Sequence, residues 1–273
     1  MINIAVIMTV HNRKDTTLKC IERFYNCHGI EKYIIDFYMM DDGSTDGTSD
    51  AVHKEYSQIK ILHGDGNLFW NRGMYYCWKE AAKIEHDFYI WLNDDTMLFD
   101  NALEILFADY EKAGKMSIIS GCCCDVETKS KVTYGGRIQK KLIIPNGEIQ
   151  RIKDINGNFV LIPNCVFKNI GFNDPYFQHM LGDLEYANRA IKNKINVFIS
   201  SFFIATCNRH NDSRKCYDGN IGLFNRLKFL YSPFAPYPTE SFYFFWKQNL
   251  YLRAFASVFS CHLRTFFPKI YNK

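Results

Sequence analysis

The polar side chains that end one apolar segment could bind a metal ion. Residues 88–92 are apolar and lead directly into Asn93, Asp94 and Asp95. Carboxylate and amide oxygens are the ligands that hard divalent cations prefer, and two adjacent carboxylates repel each other unless a cation lies nearby. The alternative is a solvated strand end at which Asp95, or Asp100 further on, caps the next helix.

A second group of carboxylates lies in the turn at residues 41–48, which reads Asp-Asp-Gly-Ser-Thr-Asp-Gly-Thr. Its glycines permit a tight turn, and the carboxylate of Asp42 could accept hydrogen bonds from a nucleobase N–H or from ribose hydroxyls. The pattern of an EF-hand calcium loop fails, because the twelfth position counted from Asp42 is His53 rather than Glu. The remaining alternative is a plain Asp/Gly turn in which Thr48 caps a helix.

Residues 64–73 place small and polar groups just before a predicted helix, in the order Gly-Asp-Gly-Asn-Leu-Phe-Trp-Asn-Arg-Gly. A helix N-terminus with Arg72 nearby could receive part of a diphosphate or a sugar hydroxyl, and Trp70 could stack on the face of a sugar. For Trp70 and Phe69 the alternative is a place in the hydrophobic core.

Asp183 and Glu185 are two residues apart at the start of a predicted helix over residues 183–193. Side chains at this spacing point to different faces of a helix, so we expect only one of them to face a reacting group. Asp183 lies near the positive end of the helix, which should keep its carboxylate ionised and suited to act as a base. The alternative is a helix-capping Asp183, with Glu185 paired to Arg189 one turn later.

These candidate residues need a scaffold, and the apolar pattern predicts an α/β fold with a mainly parallel sheet between helices. Short apolar runs rich in β-branched and aromatic residues alternate with helical periods. The predicted strands cover residues 2–10, 33–40, 59–62 and 88–92, and a predicted helix covers residues 71–85. Polar residues follow each of these strands, so we expect them to converge on one crevice at the carboxyl ends. Residues 114–165 are interrupted by Gly, Asn and Lys, which predicts antiparallel additions to the sheet.

The composition is that of a globular protein, because 47% of the 273 residues are hydrophobic and 23% are charged. It excludes disorder, collagen and coiled coil as overall classes and predicts one large domain with an appendage.

The longest apolar run, residues 197–207, is too short to span a bilayer. No basic segment precedes the first apolar run, so we expect a cytoplasmic protein without a secretory signal. Ten scattered cysteines without a Cys-x-x-Cys pair predict free thiols.

Residues 221–273 differ in composition from the rest of the chain, which places a domain boundary near residue 220. This segment holds seven Lys and Arg residues against one acid, Glu240, together with 16 of the 44 aromatic residues. Cations interleaved with aromatic residues are typical of a segment that lies on an anionic membrane surface, here the inner face of the cell membrane. The alternative is a helical extension that packs on residues 1–220 or across a homodimer.

Together these motifs make the first 215 or so residues resemble an inverting family-two glycosyltransferase of the GT-A fold. Six segments occur in the family's order: His11-Asn12-Arg13, Asp41-Asp42-Gly43-Ser44-Thr45-Asp46, Gly66-Asn67, Asn93-Asp94-Asp95, Asn156-Gly157-Asn158-Phe159, and Gly182-Asp183-Leu184-Glu185 ahead of Arg189. The chain departs from the family in lacking the usual proline in its first loop. It also carries Asn93 where the family has the first Asp of its metal motif, and an amide oxygen is a weaker ligand for a hard cation.

The resemblance implies a role for each candidate residue. Asp42 would bind the base or ribose of a nucleotide sugar, Asp95 would be the carboxylate that reaches the metal ion, and Asp183 would be the catalytic base. His210 corresponds to a late histidine that joins the metal in some members, and its imidazole would favour Mn²⁺ over Mg²⁺. The remaining predicted contacts to the donor are His11, Asn12, Arg13, Asp65, Asn67, Asn71, Arg72, Asn93 and Asp94.

The implied activity is transfer of a sugar, with inversion, from a nucleotide-sugar donor to a hydroxyl of a glycan or lipid-linked acceptor in cell-surface polysaccharide synthesis. No nucleic-acid partner is expected. A sugar-1-phosphate nucleotidyltransferase is the alternative enzyme, but residues 9–13 lack the glycine-rich phosphate loop that it would need. A non-catalytic protein that binds sugar nucleotides on the same fold is the other alternative.

Overall fold

The computed structural model describes residues 1–209 and 212–271 and shows a mixed α/β architecture. The strands are β1 Ile2–Val10, β2 Tyr33–Asp41, β3 Lys60–His63, β4 Phe88–Leu92, β5 Met97–Leu98, β6 Ser117–Cys124, β7 Val132–Tyr134, β8 Arg137–Ile138, β9 Lys141–Leu142, β10 Gln150–Arg151, β11 Phe159–Pro163 and β12 Asn196–Thr206. The helices are α1 Lys14–Tyr25, α2 Thr48–Glu55, α3 Phe69–Ala81, α4 Ala102–Ala113, α5 Asn164–Ile170, α6 Gly182–Lys192, α7 Leu223–Leu230, α8 Pro238–Lys247, α9 Tyr251–Phe266 and α10 Pro268–Tyr271.

The main sheet has the strand order β10-β12-β6-β11-β4-β1-β2-β3, with β5 paired to β12 and β7 to β6. Strands β3, β2, β1 and β4 are paired in parallel, and β12 is parallel to β6. Strand β11 lies between β4 and β6 and is antiparallel to both, so β6 and β12 run in the same direction as β1. The predicted mainly parallel sheet is therefore confirmed, and the carboxyl ends of its parallel strands meet at one edge.

Strand β1 lies in the middle of the sheet because both of its faces are apolar. Ile4, Val6 and Met8 face one layer of helices, Ala5 and Ile7 face the other, and all five are completely buried. A strand covered on both faces reads as a continuous apolar run, which is why its bounds match the sequence prediction. On one side, Gly73 lets α3 approach β1 closely, because a Cβ there would lie 2.4 Å from Cγ2 of Thr9.

The predicted antiparallel additions over residues 114–165 are confirmed, and β6 is antiparallel to β7 and β11 but parallel to β12. Strands β7, β10 and β11 are antiparallel to their neighbours, and β8 forms a separate antiparallel pair with β9. Strand β6 lies between β12 and β11 in the sheet rather than at its edge, and all eight of its residues are buried. Its sequence contains Ser, Gly and Cys among the Ile residues, so it lacks the continuous run of large apolar residues by which buried strands are recognised.

The C-terminal helices pack against the sheet domain through α8. Helix α8 lies over the loop at residues 173–178, where Oε1 of Glu240 accepts a hydrogen bond from the backbone N–H of Gln178 at 2.8 Å. Nζ of Lys247 lies 2.7 Å from a carboxylate oxygen of Asp174 and 2.7 Å from one of Glu185. In the part of the chain that the structure describes, no helix is long and apolar enough to cross a bilayer.

Candidate active site

The carboxylate of Asp42 organises the loop that follows β3. Its Oδ1 accepts a hydrogen bond from the backbone N–H of Gly66 at 2.9 Å, and its Oδ2 accepts from Leu68 and Phe69 at 3.0 and 2.8 Å. Asp42 is only 3% exposed. Backbone N–H groups therefore bind this buried carboxylate, and Asp42 positions residues 64–69, whereas its predicted contact with the base or ribose of a donor stays a prediction.

The loop after β1 is tied to the turn after β2. The ring Nδ1 of His11 lies 2.6 Å from the backbone oxygen of Asp42. The backbone N–H of Asn12 donates to Oγ of Ser44, and its side-chain oxygen accepts from the backbone N–H of Thr45 at 2.7 Å. His11 and Asn12 remain exposed at the carboxyl edge of the sheet, so both are available to a ligand.

Arg13 joins the first loop to the end of β4. Its Nη1 lies 3.1 Å from Oδ1 of Asp94 and 3.0 Å from Oδ2 of Asp95. Burial raises the pKa of Asp94 to about 7, an effect that the charge of Arg13 opposes and the charge of Asp95 increases. Asp94 is nearly buried, whereas the side chain of Asp95 is 18% exposed and also contacts the thiol of Cys207.

The residues at the end of β4 are partly suited to a divalent cation. Asp95 presents a carboxylate at a partly exposed strand end, next to a second carboxylate, which is the oxygen chemistry that a hard cation requires. Within residues 1–209 and 212–271, no group of three or more His, Cys, Asp or Glu side chains has the arrangement of a metal centre. His210, the predicted second protein ligand, lies outside the described residues.

Trp70 connects the end of β4 to the loop before β11. Its indole Nε1 donates a hydrogen bond to the side-chain oxygen of Asn93 at 2.6 Å. Its ring lies against Gly157, where a Cβ would be 2.2 Å from Cζ2 of the indole. The Asn93 amide is thus engaged with Trp70 rather than directed at a ligand, and Gly157 is required by the close approach of the indole.

Asp183 lies at the start of α6 and its carboxylate accepts two backbone hydrogen bonds. The donors are Leu184 at 2.7 Å and Gly157 at 3.3 Å. Burial raises the pKa of Asp183 to about 6, and these two hydrogen bonds and the charge of Arg137 oppose the rise. Desolvation thus outweighs the positive helix end, and the pKa of Asp183 lies above the ordinary value of an Asp side chain while remaining below 7.

Glu185 faces away from Asp183, as its spacing predicted. Its carboxylate forms a two-point contact with the guanidinium of Arg189, at 3.0 Å for each oxygen, and a further ion pair with Lys247. Glu185 is only 5% exposed. The pairing of Glu185 with Arg189, which belonged to the alternative to a catalytic Asp183, is present in the structure. Of these two acids, Asp183 is the one left to face a reacting group.

Asn71 and Arg72 do not lie where we predicted. Asn71 is completely buried, and its amide Nδ2 donates to the backbone oxygens of Asp174 and Phe177 at 2.8 and 2.7 Å. The guanidinium of Arg72 donates to the backbone oxygens of Pro175 and Tyr176 rather than pointing into a cleft. Both side chains hold the 173–178 loop, and a role of either in donor binding stays a prediction.

Asn71 also gives a prediction about stability. Asn71→Ala should lower the free energy of unfolding by about 2–4 kcal/mol, because it leaves the carbonyl of Phe177 without the Asn71 donor and the buried amide of Asn173 without the Asn71 side-chain acceptor. Asn67→Ala is the matched control, since Asn67 is exposed and its side chain reaches only the backbone of Asp65 at 3.4 Å. Chemical denaturation measures both changes, and equal losses for the two variants would contradict the assignment.

Three side chains near Asp183 and Arg13 were not singled out from the sequence. His179 accepts a hydrogen bond from the backbone N–H of Trp70 at its Nδ1, and burial together with the charge of Arg13 lowers its pKa to about 4. The ring of Phe234, between α7 and α8, packs edge-on against His179 with centroids 4.9 Å apart. The third side chain is Arg137, from β8, whose positive charge acts on Asp183 and opposes the rise of its pKa. The only signal for His179 was its place four residues before Asp183, and nothing in the sequence links Phe234 to this edge.

Two open clefts flank the loops after β2 and β3. One has a volume of about 440 Å³ and includes Asp65, Tyr76 and Lys79, and the other, of about 310 Å³, includes Ser44 and Thr45. Asp95 and Asp183 line neither of them. Asp65 and Asn67 are exposed beside the first cleft and, like His11 and Asn12, remain accessible to a ligand.

The chain is similar to known glycosyltransferases in both sequence and structure. A model of the family described as Glycosyl transferase family 2 matches residues 5–180. A curated relative, poly-beta-1,6-N-acetyl-D-glucosamine synthase from Staphylococcus epidermidis, is 24% identical over 182 residues, which cover 63% of this chain and 42% of the relative. The chain thus matches less than half the length of that relative.

Solved structures support the fold. GalNAc-T7, solved with UDP, GalNAc and Mn²⁺, superposes with a TM-score of 0.60 at 13% identity, covering 77% of this chain and 44% of that one. The mannosyltransferase PcManGT from Pyrobaculum calidifontis, solved with GDP-Man and Mn²⁺, gives 0.57 at 11% identity and covers 96% of this chain and 73% of its own. TarS of S. aureus gives 0.58 at 10% identity over 84% of this chain and 42% of that one. At these identities the similarity establishes the GT-A fold.

Proposed function

Since this chain belongs to glycosyl transferase family 2, we propose that it transfers a sugar, with inversion, from a nucleoside-diphosphate sugar to an acceptor hydroxyl. The observation that carries the proposal is the position of Trp70. Its indole contacts both Asn93, beside the Asp94 and Asp95 carboxylates, and Gly157, whose N–H donates to Asp183. A candidate base and a candidate cation site are therefore linked through one side chain, which supports their acting in the same reaction.

Asp183 would act as the base in this reaction. Its carboxylate takes the proton from the acceptor hydroxyl as the oxygen forms a bond to the anomeric carbon of the donor sugar, and the bond to the nucleoside diphosphate breaks with its electron pair on the phosphate oxygen. A pKa near 6 leaves most of the carboxylate ionised at pH 7 while keeping it basic enough to accept a proton. The Leu184 and Gly157 N–H groups hold the carboxylate in place.

Asp95, supported by Asp94, would hold a divalent cation, Mn²⁺ or Mg²⁺. When bound, the cation offsets the negative charge of the departing diphosphate. Arg13 holds the two carboxylates at the end of β4. The carboxyl edge leaves His11, Asn12, Asp65 and Asn67 accessible for contacts to the donor, whereas Asp42 acts indirectly through the 64–69 loop.

The acceptor that we propose is a glycan or a lipid-linked precursor of a cell-surface polysaccharide. The support is the matching relative, which is named as a polysaccharide synthase. Phe234 packs on both Phe69, with ring centroids 5.5 Å apart, and His179, and this aromatic group is a surface on which the face of an acceptor sugar could pack.

A panel of nucleotide sugars tests the function. With Mn²⁺, we expect one donor class to raise the unfolding temperature and to release nucleoside diphosphate when an acceptor glycan is present. Thermal protection without turnover across the panel would instead identify a binding protein. Formation of nucleotide sugar from sugar 1-phosphate and nucleoside triphosphate, with release of diphosphate, would identify a nucleotidyltransferase.

The pKa of Asp183 predicts the acid side of the pH profile. A base works only when it is deprotonated, so kcat/KM should fall as the pH drops through about 6. Initial rates across the pH range measure this limb, and thermal shift with the donor at each pH controls for lost binding. A limb centred at the ordinary Asp value of about 3.9 would contradict the assigned environment of this carboxylate.

A further inference from the structure

The outward face of α9 is apolar and exposed. Leu252, Phe255 and Phe259 are 89%, 62% and 69% exposed, and their spacing of three and four residues places them on one side of the helix. Ala254 and Cys261 on the opposite side are buried against the neighbouring helices. Helix α9 thus covers its own domain with small residues and presents its large apolar residues outward, which is the reverse of an ordinary surface helix.

Aromatic residues at the end of α8 enlarge this face. Phe242 stacks on Trp246 with centroids 5.3 Å apart and meets Phe255 edge-on at 5.2 Å. Trp246 and Tyr251 are 44% and 49% exposed. The apolar face defined by Trp246, Tyr251, Leu252, Phe255 and Phe259 is therefore contiguous, and contiguous exposed apolar surface of this kind marks an interaction site.

The charges of the C-terminal helices have one sign at the surface. The exposed cations are Lys228, Arg253, Arg264 and Lys269. Among residues 221–271 the acid is Glu240, which is 3% exposed and hydrogen-bonded to the backbone of Gln178. Helices α7 to α10, of which α9 carries most of the apolar face, thus expose cations and no carboxylate side chain.

We propose that this apolar face docks on the surface of an anionic lipid bilayer. Phenylalanine side chains enter the boundary of the acyl chains, Trp and Tyr suit the headgroup level, and Arg and Lys attract acidic headgroups. A second copy of the chain is a poorer occupant, because a two-fold contact through the same face would oppose like charges without an acid to pair with them.

Docking would fix the orientation of the candidate active site. Helix α8 is held to the sheet domain by the ion pairs of Lys247 with Asp174 and Glu185. Glu185 belongs to α6, the helix whose second residue is Asp183. Docking would therefore hold α8 and α6 at a fixed orientation to the bilayer. This orientation suits an acceptor that reaches the candidate active site from the membrane. The docking itself does not depend on the proposed sugar transfer.

Vesicle flotation with the full chain tests the proposal. We expect binding to vesicles of phosphatidylcholine mixed with phosphatidylglycerol, little binding to phosphatidylcholine alone, and release by added salt. The double variant Phe255→Ser/Phe259→Ser should lower the partition coefficient roughly ten-fold or more, because the apolar contacts are removed. Phe202→Ser is the matched control, since Phe202 is 54% exposed on β12 and away from α9, and it should bind as the unmodified chain does.

A variant that removes positive charges measures the electrostatic contribution to vesicle binding separately from the apolar one. Lys228→Gln/Lys269→Gln should weaken binding to the anionic vesicles and reduce its salt dependence, whereas Lys54→Gln/Lys112→Gln, at exposed positions on α2 and α4, should not. Equal binding to both vesicle types, or equal losses in test and control variants, would overturn the proposal. So would a dimer, seen by light scattering, that the double phenylalanine variant converts to monomer.

Discussion

Asp183→Asn should lower kcat by about 10² or more and leave donor affinity unchanged, because an amide cannot take the proton of the acceptor hydroxyl. The amide keeps the size of the carboxylate, and its oxygen can still accept the 2.7 Å hydrogen bond from Leu184, so only the longer 3.3 Å bond from Gly157 to the other oxygen is lost. The local fold should therefore persist. Steady-state rates with varied acceptor, together with donor affinity from thermal shift, separate the two effects.

Asp154→Asn is the matched control for this loss. Asp154 is also half-buried, its pKa is also raised by burial, and it also senses the charge of Arg137. Its replacement should leave kcat close to that of the unmodified protein. A variant at Asp183 that lost donor affinity at unchanged kcat would show that Asp183 is a binding residue and that the base lies elsewhere.

Asp95→Ala should reduce turnover by about 10² or more and remove the additional thermal protection that Mn²⁺ gives in the presence of donor. The fold should survive, because Arg13 keeps its ion pair with Asp94 at 3.1 Å and Asp95 lies at the partly exposed end of β4. Turnover and thermal shift with and without chelator measure the loss.

Asp100→Ala is the control for Asp95. Asp100 is a nearby acid at the start of α4 with its side chain 59% exposed, and its carboxylate is 3.8 Å from Arg23. We expect its replacement to leave both the rate and the response to Mn²⁺ unchanged. Full activity of Asp95→Ala in the presence of chelator would refute the assignment of the cation to the end of β4.

The sequence predicted the sheet well where burial is uniform. Strand β4 is apolar along its whole length and β1 along most of its own, so their bounds follow from the residues alone. The position of β11 between β4 and β6 depends on pairing across distant segments, which no local pattern encodes. The same is true of β6, whose small residues resemble a loop until their burial is known.

The candidate site was predictable in its location and less so in its contacts. The polar strand ends do meet at one edge, yet Asn71 and Arg72 are engaged with the 173–178 loop, which lies about a hundred residues further along the chain. The carboxylate of Asp42 is likewise taken by backbone N–H groups whose direction a sequence does not reveal. The raised pKa of Asp183 has the same origin, since desolvation depends on what packs around a group.

The C-terminal segment uses only part of its aromatic residues to pack on the sheet domain. Some of its aromatic residues pack on the sheet domain, as Tyr243 does on Tyr176 with centroids 4.0 Å apart. Others, such as Phe255 and Phe259, remain exposed. Helical spacing alone could not separate these groups, because both faces of the helices carry large apolar residues.

The anomeric configuration of the product tests the central claim most directly. Once the donor panel identifies a substrate, NMR of the early product gives the configuration at the transferred sugar. Attack by an acceptor oxygen deprotonated at Asp183, in one displacement, predicts the configuration opposite to that of the donor. Retention of the donor configuration would contradict this mechanism and with it the role of Asp183.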